Sequence, residues 1–600
     1  MHIRITKAFS EIENPFTSLN TVSKRKSYFK ETCEIVTPVE KVLGVRFGNR
    51  RNKKTGTYNQ VLVTDKFSYV PILQTLQSIF KNSKTSSMLK SGRSSPDGLY
   101  VDLEDGLYIK AHPLFSNESH ALKIQLFYDD FEPCNPLGSK KVSHKIGGIY
   151  FTLNLIHVWT TYLCTLFHTQ DIKTYGFNAI LEPLVSDLKV LETEGIEVQF
   201  FNGRLRVSIF QVTGDNLGLH CLFGYVESFS ARYCCRFCLT EKEKFPTVFC
   251  EDDPSVTLRS KDIHLHHCEA IQANPTLIHV YGVKRSCLLD ELKSFSVSEN
   301  FSVDIMHDIL EGVAQYEMKL VLEYLSDFIS HRELQARIHS FNYGYTESKN
   351  KPSGTWCFVR NMPLIFGDVV QRGDKCWQLL LLLLQIVNIA FSPILTEGLT
   401  ICLKHVIAEH HRLFKHLFPS KRLLPKHHFL INYPRCIRLL GPVIHMWSMR
   451  YESKHYYFKK QLKSFKNVTK TLAIKHQNDL AYKFDLASTA IKKGPGKMVA
   501  LCDLNGQKFI ICSSVDIDLP KFCQIRDIFV QDEEVLLICV VLHTCYFDEH
   551  FHSVKVSFKE VEEWKIVSVN ELVYHKPFDL QMTYGTQDDF EYIVPNCVFI

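Results

Sequence analysis

The sequence predicts an α/β protein in three stretches: strands joined by one amphipathic helix, then a long, mostly helical region, then a small β-rich tail. Three observations carry this. Between residues 120 and 212 the hydrophobic pattern reads β-β-β-α-β; residues 216 to about 445 change to helical periodicity; and after Gly494-Pro495-Gly496 the texture returns to short apolar strands.

Taken in order, residues 1–95 mix polar stretches with the basic clusters Lys24-Arg25-Lys26, Arg50-Arg51 and Lys53-Lys54, which read as solvated surface, and end in the polar run SKTSSMLKSGRSSPDG, a linker signature. Leu122, Ile124, Leu126 and Tyr128 then alternate with polar residues, so this is a strand whose end reaches Asp129 and Asp130. A Pro/Asn/Gly/Ser turn follows. Ile146–Leu153 and Trp159–Phe167 are rich in β-branched and aromatic residues, as two further strands of one sheet require. Phe177, Ile180, Leu181, Leu184, Val185, Leu188 and Leu191 repeat at helical spacing and give one apolar helix face. Leu205–Val212 is the fourth strand, ending in Gly214-Asp215-Asn216. Within the helical region, Trp377–Phe391 is too short and too interrupted, at Gln385 and Asn388, to span a bilayer and reads as a buried helix. Residues 446–466 form a helix carrying Glu452, and Asn505-Gly506 marks a hairpin in the tail, with strands near Val535–Leu542 and Val554–Phe558.

With 600 residues, two to four folded units are expected. At 45% apolar and 22% charged residues, most of the chain has the composition of ordinary globular protein. Seventy basic against 64 acidic residues leave a net charge of +6, too small to announce a nucleic-acid partner alone. Twenty scattered cysteines, two of them in a C-x-x-C, favour a reducing compartment with a metal site over a disulfide scaffold. The polar start, MHIRITKAFSEIENPF, argues against secretion, so cytosol or nucleus follows.

Acids at the ends of neighbouring strands suit two-metal phosphoryl transfer, in which two divalent cations about 3.5–4 Å apart activate the attacking oxygen and stabilise the leaving one. Strands one and four would bring Asp129 and Asp215 together, and a helix packed across that edge would deliver Glu452. Spacing alone leaves the commoner roles of turn former or helix cap open. Asp130 rivals Asp129, although its side chain would point to the opposite sheet face. Cys235-Arg236-Phe237-Cys238 has zinc-knuckle spacing, with His264 and His267 as a second pair; Cys234, His266 and His307 compete as ligands. In Asp304-Ile305-Met306-His307-Asp308 the acids are either further metal ligands or helix caps, and the motif stays outside the triad. The helix after Glu452 carries Lys454, Lys459, Lys460, Lys463, Lys466 and Lys470 interleaved with Tyr456, Tyr457, Phe458 and Phe465. This is either a solvated face or, beside an active site, a track for a phosphate backbone.

Four blocks, LFYDDFEPCNPLGSKKVSHKIGGIYFTL, VTGDNLGLHCLFGYVESFSARYCCRFC, FSVDIMHDILEGV and MWSMRYESKHYYFKK, resemble in this order the CACTA (En/Spm) superfamily of DDE transposases, particularly its animal members. The resemblance covers residues 95 to 470. It implies a ribonuclease-H-like core interrupted by a mostly helical, zinc-containing insertion, with Asp129, Asp215 and Glu452 as a DDE triad using Mg2+ or Mn2+, and Cys235, Cys238 and Met306-His307 matching the insertion's motifs. The expected organisation is an N-terminal region (1–95), the first part of the core (96–225), the helical insertion with its zinc (226–445), the last core helix (446–490) and the β-rich domain (495–600). The implied function is metal-dependent cleavage and strand transfer on double-stranded DNA, transposon ends and target, in the nucleus, without a membrane and with a homo-oligomer as a further expectation. The alternative is a domesticated, catalytically silent DNA- or protein-binding scaffold.

Overall fold

The computed structural model describes residues 20–598 except 22, 26, 29–34, 52–54, 82–94, 134–144, 155–159, 199–200, 202, 345–353, 463–466, 489–509, 517–518, 532–533 and 585–590. The expected linker, nearly all of it, the Asn505-Gly506 hairpin, Lys463 and Lys466 lie outside the described residues. The protein is mixed α/β, with several sheets and extensive helix.

The first sheet has six strands in the order β1-β2-β5-β4-β3-β6: β1 (Val39–Arg51), β2 (Tyr58–Tyr69), β3 (Leu122–Phe131), β4 (Ile146–Leu153), β5 (Tyr162–His168) and β6 (Val207–Thr213). All neighbours are antiparallel except β3 and β6, which run parallel. The alternation at 122–128 predicted β3, but the strand continues through both acids to Phe131. Two strands from the N-terminal region were not anticipated. The β1-β2 hairpin joins the sheet only through Ser68 and Tyr69 opposite Leu166 and Thr165, and α1 (Ile72–Phe80) follows it.

After β5 the chain passes through α2 (Thr169–Tyr175) into α3 (Phe177–Thr193). The seven apolar residues at helical spacing in α3 are all buried, each contributing about 1.5–3 kcal/mol of apolar transfer. They pack on the sheet face that includes Tyr128, whose ring meets Phe177 edge to face at 4.9 Å. The opposite face is covered by α12 (Met449–Gln461) and α13 (Val468–Ser488), whose Tyr451, Phe458, Leu472 and Ala473 form a core with Phe127, Phe131 and Tyr150. The last helices therefore return, across hundreds of residues, to the sheet built first.

Between them lies the helical region: α4 (Asn216–Phe223), α5 (Lys261–Ala273), a π-helical turn (Met306–Val313) leading into α6 (Ala314–Leu325), α7 (Gly354–Phe366), α8 (Lys375–Ala390), α9 (Glu397–Leu417), α10 (Pro425–Leu430) and α11 (Tyr433–Leu440). The apolar run at 377–391 forms most of α8 and is buried; among the described residues no helix is long and apolar enough to cross a membrane. The tail forms a seven-stranded antiparallel sheet of β7 (Ile510–Asp516), β8 (Leu519–Gln531), β9 (Glu534–Asp548), β10 (Ser553–Phe558), β11 (Trp564–Ser568), β12 (Tyr574–Phe578) and β13 (Glu591–Ile593). It docks on the helical region: the Trp377 indole donates to the His550 carbonyl at 3.0 Å, and Asn388 pairs with the His552 ring at 2.9 Å.

Candidate active site and a buried cysteine–histidine cluster

Strand register places the two aspartates side by side. Leu126 pairs with Val212 and Phe127 with Thr213 across the parallel β3-β6 ladder; two residues beyond that last pair stand Asp129, still in β3, and Asp215, just past the end of β6. Gly214 makes the approach feasible, because a side chain there would begin 2.5 Å from the Tyr128 carbonyl oxygen. Asp215 caps α4, its carboxylate accepting from the Gly218 amide.

Odd-numbered residues of β3 face α12. Gln125 accepts from the Tyr451 hydroxyl at 2.7 Å, Phe127 stacks on Tyr451 at 4.3 Å, Asp129 lies 3.5 Å from His455 Nδ1, and Phe131 stacks on His455 at 4.6 Å. Glu452 therefore comes from the helix covering the face on which Asp129 sits. Asp130 points the other way and pairs with Lys145 at 2.7 Å.

The Asp-Ile-Met-His-Asp motif also reaches this cluster. Asp304 is buried, its Oδ1 accepting from the amides of Met306 and Ser448 at 3.2 and 3.3 Å, its Oδ2 lying 2.6 Å from His307 Nδ1. Ser448 precedes α12, so Asp304 ties the π-helical turn to the helix that carries Glu452. His307 Nε2 lies 3.8 Å from Glu452 and 4.0 Å from Glu311. The motif that the sequence reading kept outside the triad thus stands beside Glu452.

The electrostatics are those of crowded acids. Burial, then the charges of Asp215, Asp130 and Glu452, push the Asp129 carboxyl well above its usual range. Burial likewise raises Glu452, with Asp304 adding to it and His307 opposing. Burial alone would lower His307, but its hydrogen bond to Asp304 and the charges of Asp304, Asp215 and Glu452 raise it to about 9. His455, by contrast, is lowered to about 3 by burial and then by Lys459, and adds no cation. Carboxylate oxygens are donors of the kind that hard divalent cations such as Mg2+ or Mn2+ take, but among the described residues it is Cys235, Cys238 and His428, and not these acids, whose possible ligand atoms all lie within 4.8 Å of one another.

A second cluster lies in the helical region. The thiols of Cys235 and Cys238 and the imidazole of His428 are all buried, with ligand atoms within 4.8 Å of one another. Cys238 Sγ is 3.2 Å from His428 Nε2 and 3.2 Å from the Thr240 hydroxyl. Hydrogen bonding from Cys235, offset partly by burial and reinforced by His428, holds Cys238 well below the usual thiol range, while burial and the same pairing push Cys235 above it.

The expected partners of the cysteines, His264 and His267, stand outside this group. Both lie on α5, where His264 Nε2 is 3.6 Å from Cys268 and 3.6 Å from Asp290, while His267 stacks on Tyr281 at 4.0 Å. Their i, i+3 spacing put them on one helix face, but that face packs elsewhere. His428 carried no spacing signal, being 190 positions from Cys238; the only clue was the unusual His427-His428 pair in the short helix α10. The neighbouring His427 instead joins His410 in pairing with the fully buried Glu317, at 3.0 and 2.9 Å.

Of the predicted basic face, Lys459 and Lys460 are exposed, Lys460 lying over the exposed Tyr456 ring at 4.4 Å; Lys454 lies 5.9 Å from the Tyr457 ring centroid, and Lys470 pairs with Glu40. No protein-family model and no curated protein matches the chain.

Proposed function

We propose that the protein is a DNA transposase-like enzyme of the CACTA type, built on a ribonuclease-H-like core and acting in the nucleus on double-stranded DNA by metal-dependent strand cleavage and strand transfer. The observation that supports this reading best is the meeting of Asp129 and Asp215 at the ends of adjacent parallel strands, under a helix that presents Glu452 on the same face. The sheet of three antiparallel strands followed by a helix and a parallel fourth strand supports the ribonuclease-H-like assignment.

In this reading Asp129, Asp215 and Glu452 hold Mg2+ or Mn2+. Bound there, the cations supply an activated water and charge stabilisation at the phosphoryl group. The residues of the chain do the positioning: the β3-β6 register fixes the aspartates, Asp304 locks α12 through Ser448, and the stacked Phe127–Tyr451 pair sets the depth of Glu452. Lys459 and Lys460 extend from the same helix as contacts for the DNA backbone. Cys235, Cys238 and His428 hold structural zinc.

The test is strand cleavage of candidate transposon ends with Mg2+ or Mn2+. Wild type should cut, and Asp129→Asn, Asp215→Asn and Glu452→Gln should each lose at least about a thousandfold, non-additively, as residues acting as one unit do. Wild type that binds DNA but cuts none of the ends with either metal would favour the silent scaffold.

A further inference from the structure

The acids and the basic helix leave one group unused. His307 sits in a π-helical turn, a local unwinding that recurs at functional sites, and its ring projects among Asp304, Glu311 and Glu452. Its two nitrogens face different surroundings. Nδ1 is 2.6 Å from the carboxylate of Asp304, a side chain only 3% exposed and held from behind by two backbone amides. That carboxylate is therefore fixed before any ligand arrives, and it fixes the ring. Nε2 points toward Glu452 at 3.8 Å.

A histidine whose one nitrogen donates to a buried carboxylate, and whose other faces a cluster of acids, is arranged as metal-binding histidines are: the carboxylate sets the tautomer, orients the ring and raises its basicity. Here Nε2 faces the carboxylates of Glu452 at 3.8 Å and the half-exposed Glu311 at 4.0 Å, and the side chain remains 22% exposed. We propose that His307 is, through Nε2, a further ligand of the divalent-metal site formed by Asp129, Asp215 and Glu452, with Asp304 as its positioning residue.

This rests on the active-site reading above, and one experiment separates the two. Zinc-replete full-length protein is loaded with one equivalent of Mn2+ and examined by pulsed electron paramagnetic resonance, which detects the nitrogen of a directly coordinated imidazole. Wild type should show that nitrogen modulation, a measurement that needs no variant to fold. His307→Gln should lose it and weaken Mn2+ binding about 10–100-fold in calorimetry, while Asp304→Asn should weaken binding about 10-fold, the cost of losing an orienting partner. Full zinc content in both variants verifies their fold. Oxygen-only coordination in wild type overturns the proposal. So does modulation that persists in His307→Gln, which would assign it to His455, or unchanged Mn2+ affinity in that variant when Glu452→Gln weakens it. In those cases the three acids stand without His307. No Mn2+ binding by wild type at this site overturns the active-site reading itself.

Discussion

Arg236 donates to the side-chain oxygen of Asn216 at 3.1 Å, and so joins the Cys235–Cys238 loop to the residue that follows Asp215. The link continues: Asn216 donates to Asp308 at 2.6 Å, Asp308 accepts from the Tyr433 hydroxyl at 3.1 Å, and Arg236 also donates to the Ser302 carbonyl. All of these side chains are buried, so the network has no water to replace a lost member. Burial and the charge of Asp304 raise Asp308 to about 6, with Arg236 opposing. Arg236→Gln removes the charged donor while leaving Asp308 in place, and should cost about 1.5–3 kcal/mol, the range for a hydrogen bond made by a charged group. The urea midpoint measures it; an unchanged midpoint would mean that the network is not a structural tie.

The cysteine–histidine cluster makes a sharper prediction about ligands. Purified protein should hold about one zinc per chain, lost in Cys235→Ser with Cys238→Ser and greatly weakened in His428→Asn, while His264→Asn and His267→Asn keep it. Elemental analysis decides. Zinc retained in His428→Asn but lost in His264→Asn would restore the ligand set read from spacing.

Two substitutions beside the acids should separate charge from geometry. Asp130→Asn removes a carboxylate that faces Lys145 on the far side of the sheet, so cleavage should stay within a few-fold of wild type. Gly214→Ala alters no charge, yet its new methyl meets the Tyr128 carbonyl and forces the strand ends apart. Cleavage should fall at least about tenfold in Gly214→Ala, with Mn2+ affinity falling alongside.

Acid should loosen the fold through histidines that are buried neutral. Burial lowers His220 and His552 from 6.5 to about 4. His220 Nδ1 contacts the Val226 carbonyl at 2.9 Å and Nε2 has no partner among the described residues, so an imidazolium there leaves a charged donor stranded. Between about pH 6.5 and 4 the unfolded chain binds these protons and the folded chain does not. Stability is therefore fully present above about 6.5 and falls as pH drops through that window, by up to about 3 kcal/mol for each histidine. Melting temperatures at pH 7 and pH 5 should differ, and the difference should shrink in His552→Asn.

The exposed pair Lys459 and Lys460 extends from the helix that carries Glu452. Replacing both by Gln should weaken binding to unrelated duplexes equally and reduce the salt slope of log K by about 1.8. Preserved slope would return them to a solvated surface.

Much of this arrangement was legible in the sequence because it is local. Alternation at 122–128 and helical spacing at 177–191 follow from short-range periodicity and lie in the elements they indicated, while Asp215, expected at the end of the fourth strand, stands just past it as the N-cap of α4. What stayed hidden is what only long-range packing decides. His428 joins Cys238 across the whole helical region, and β1 and β2 enter the sheet at its edge through two residue pairs that leave no pattern. His307 was visible as a motif, but its neighbour Glu452 stands on a helix that periodicity cannot dock.

The contact between Gln125 and Tyr451 spans 326 positions, and this has a consequence for the chain as it is made. At about 5–20 residues per second a ribosome needs about 16–65 s to travel from the first to the second. For that interval the face carrying Phe127, Phe131 and Tyr150 has emerged without the helix that covers it, a sticky aromatic surface on a nascent polypeptide. Chaperone occupancy should peak in that interval and fall once α12 clears the exit tunnel, so that any nuclease activity belongs only to a chain whose translation has passed Glu452.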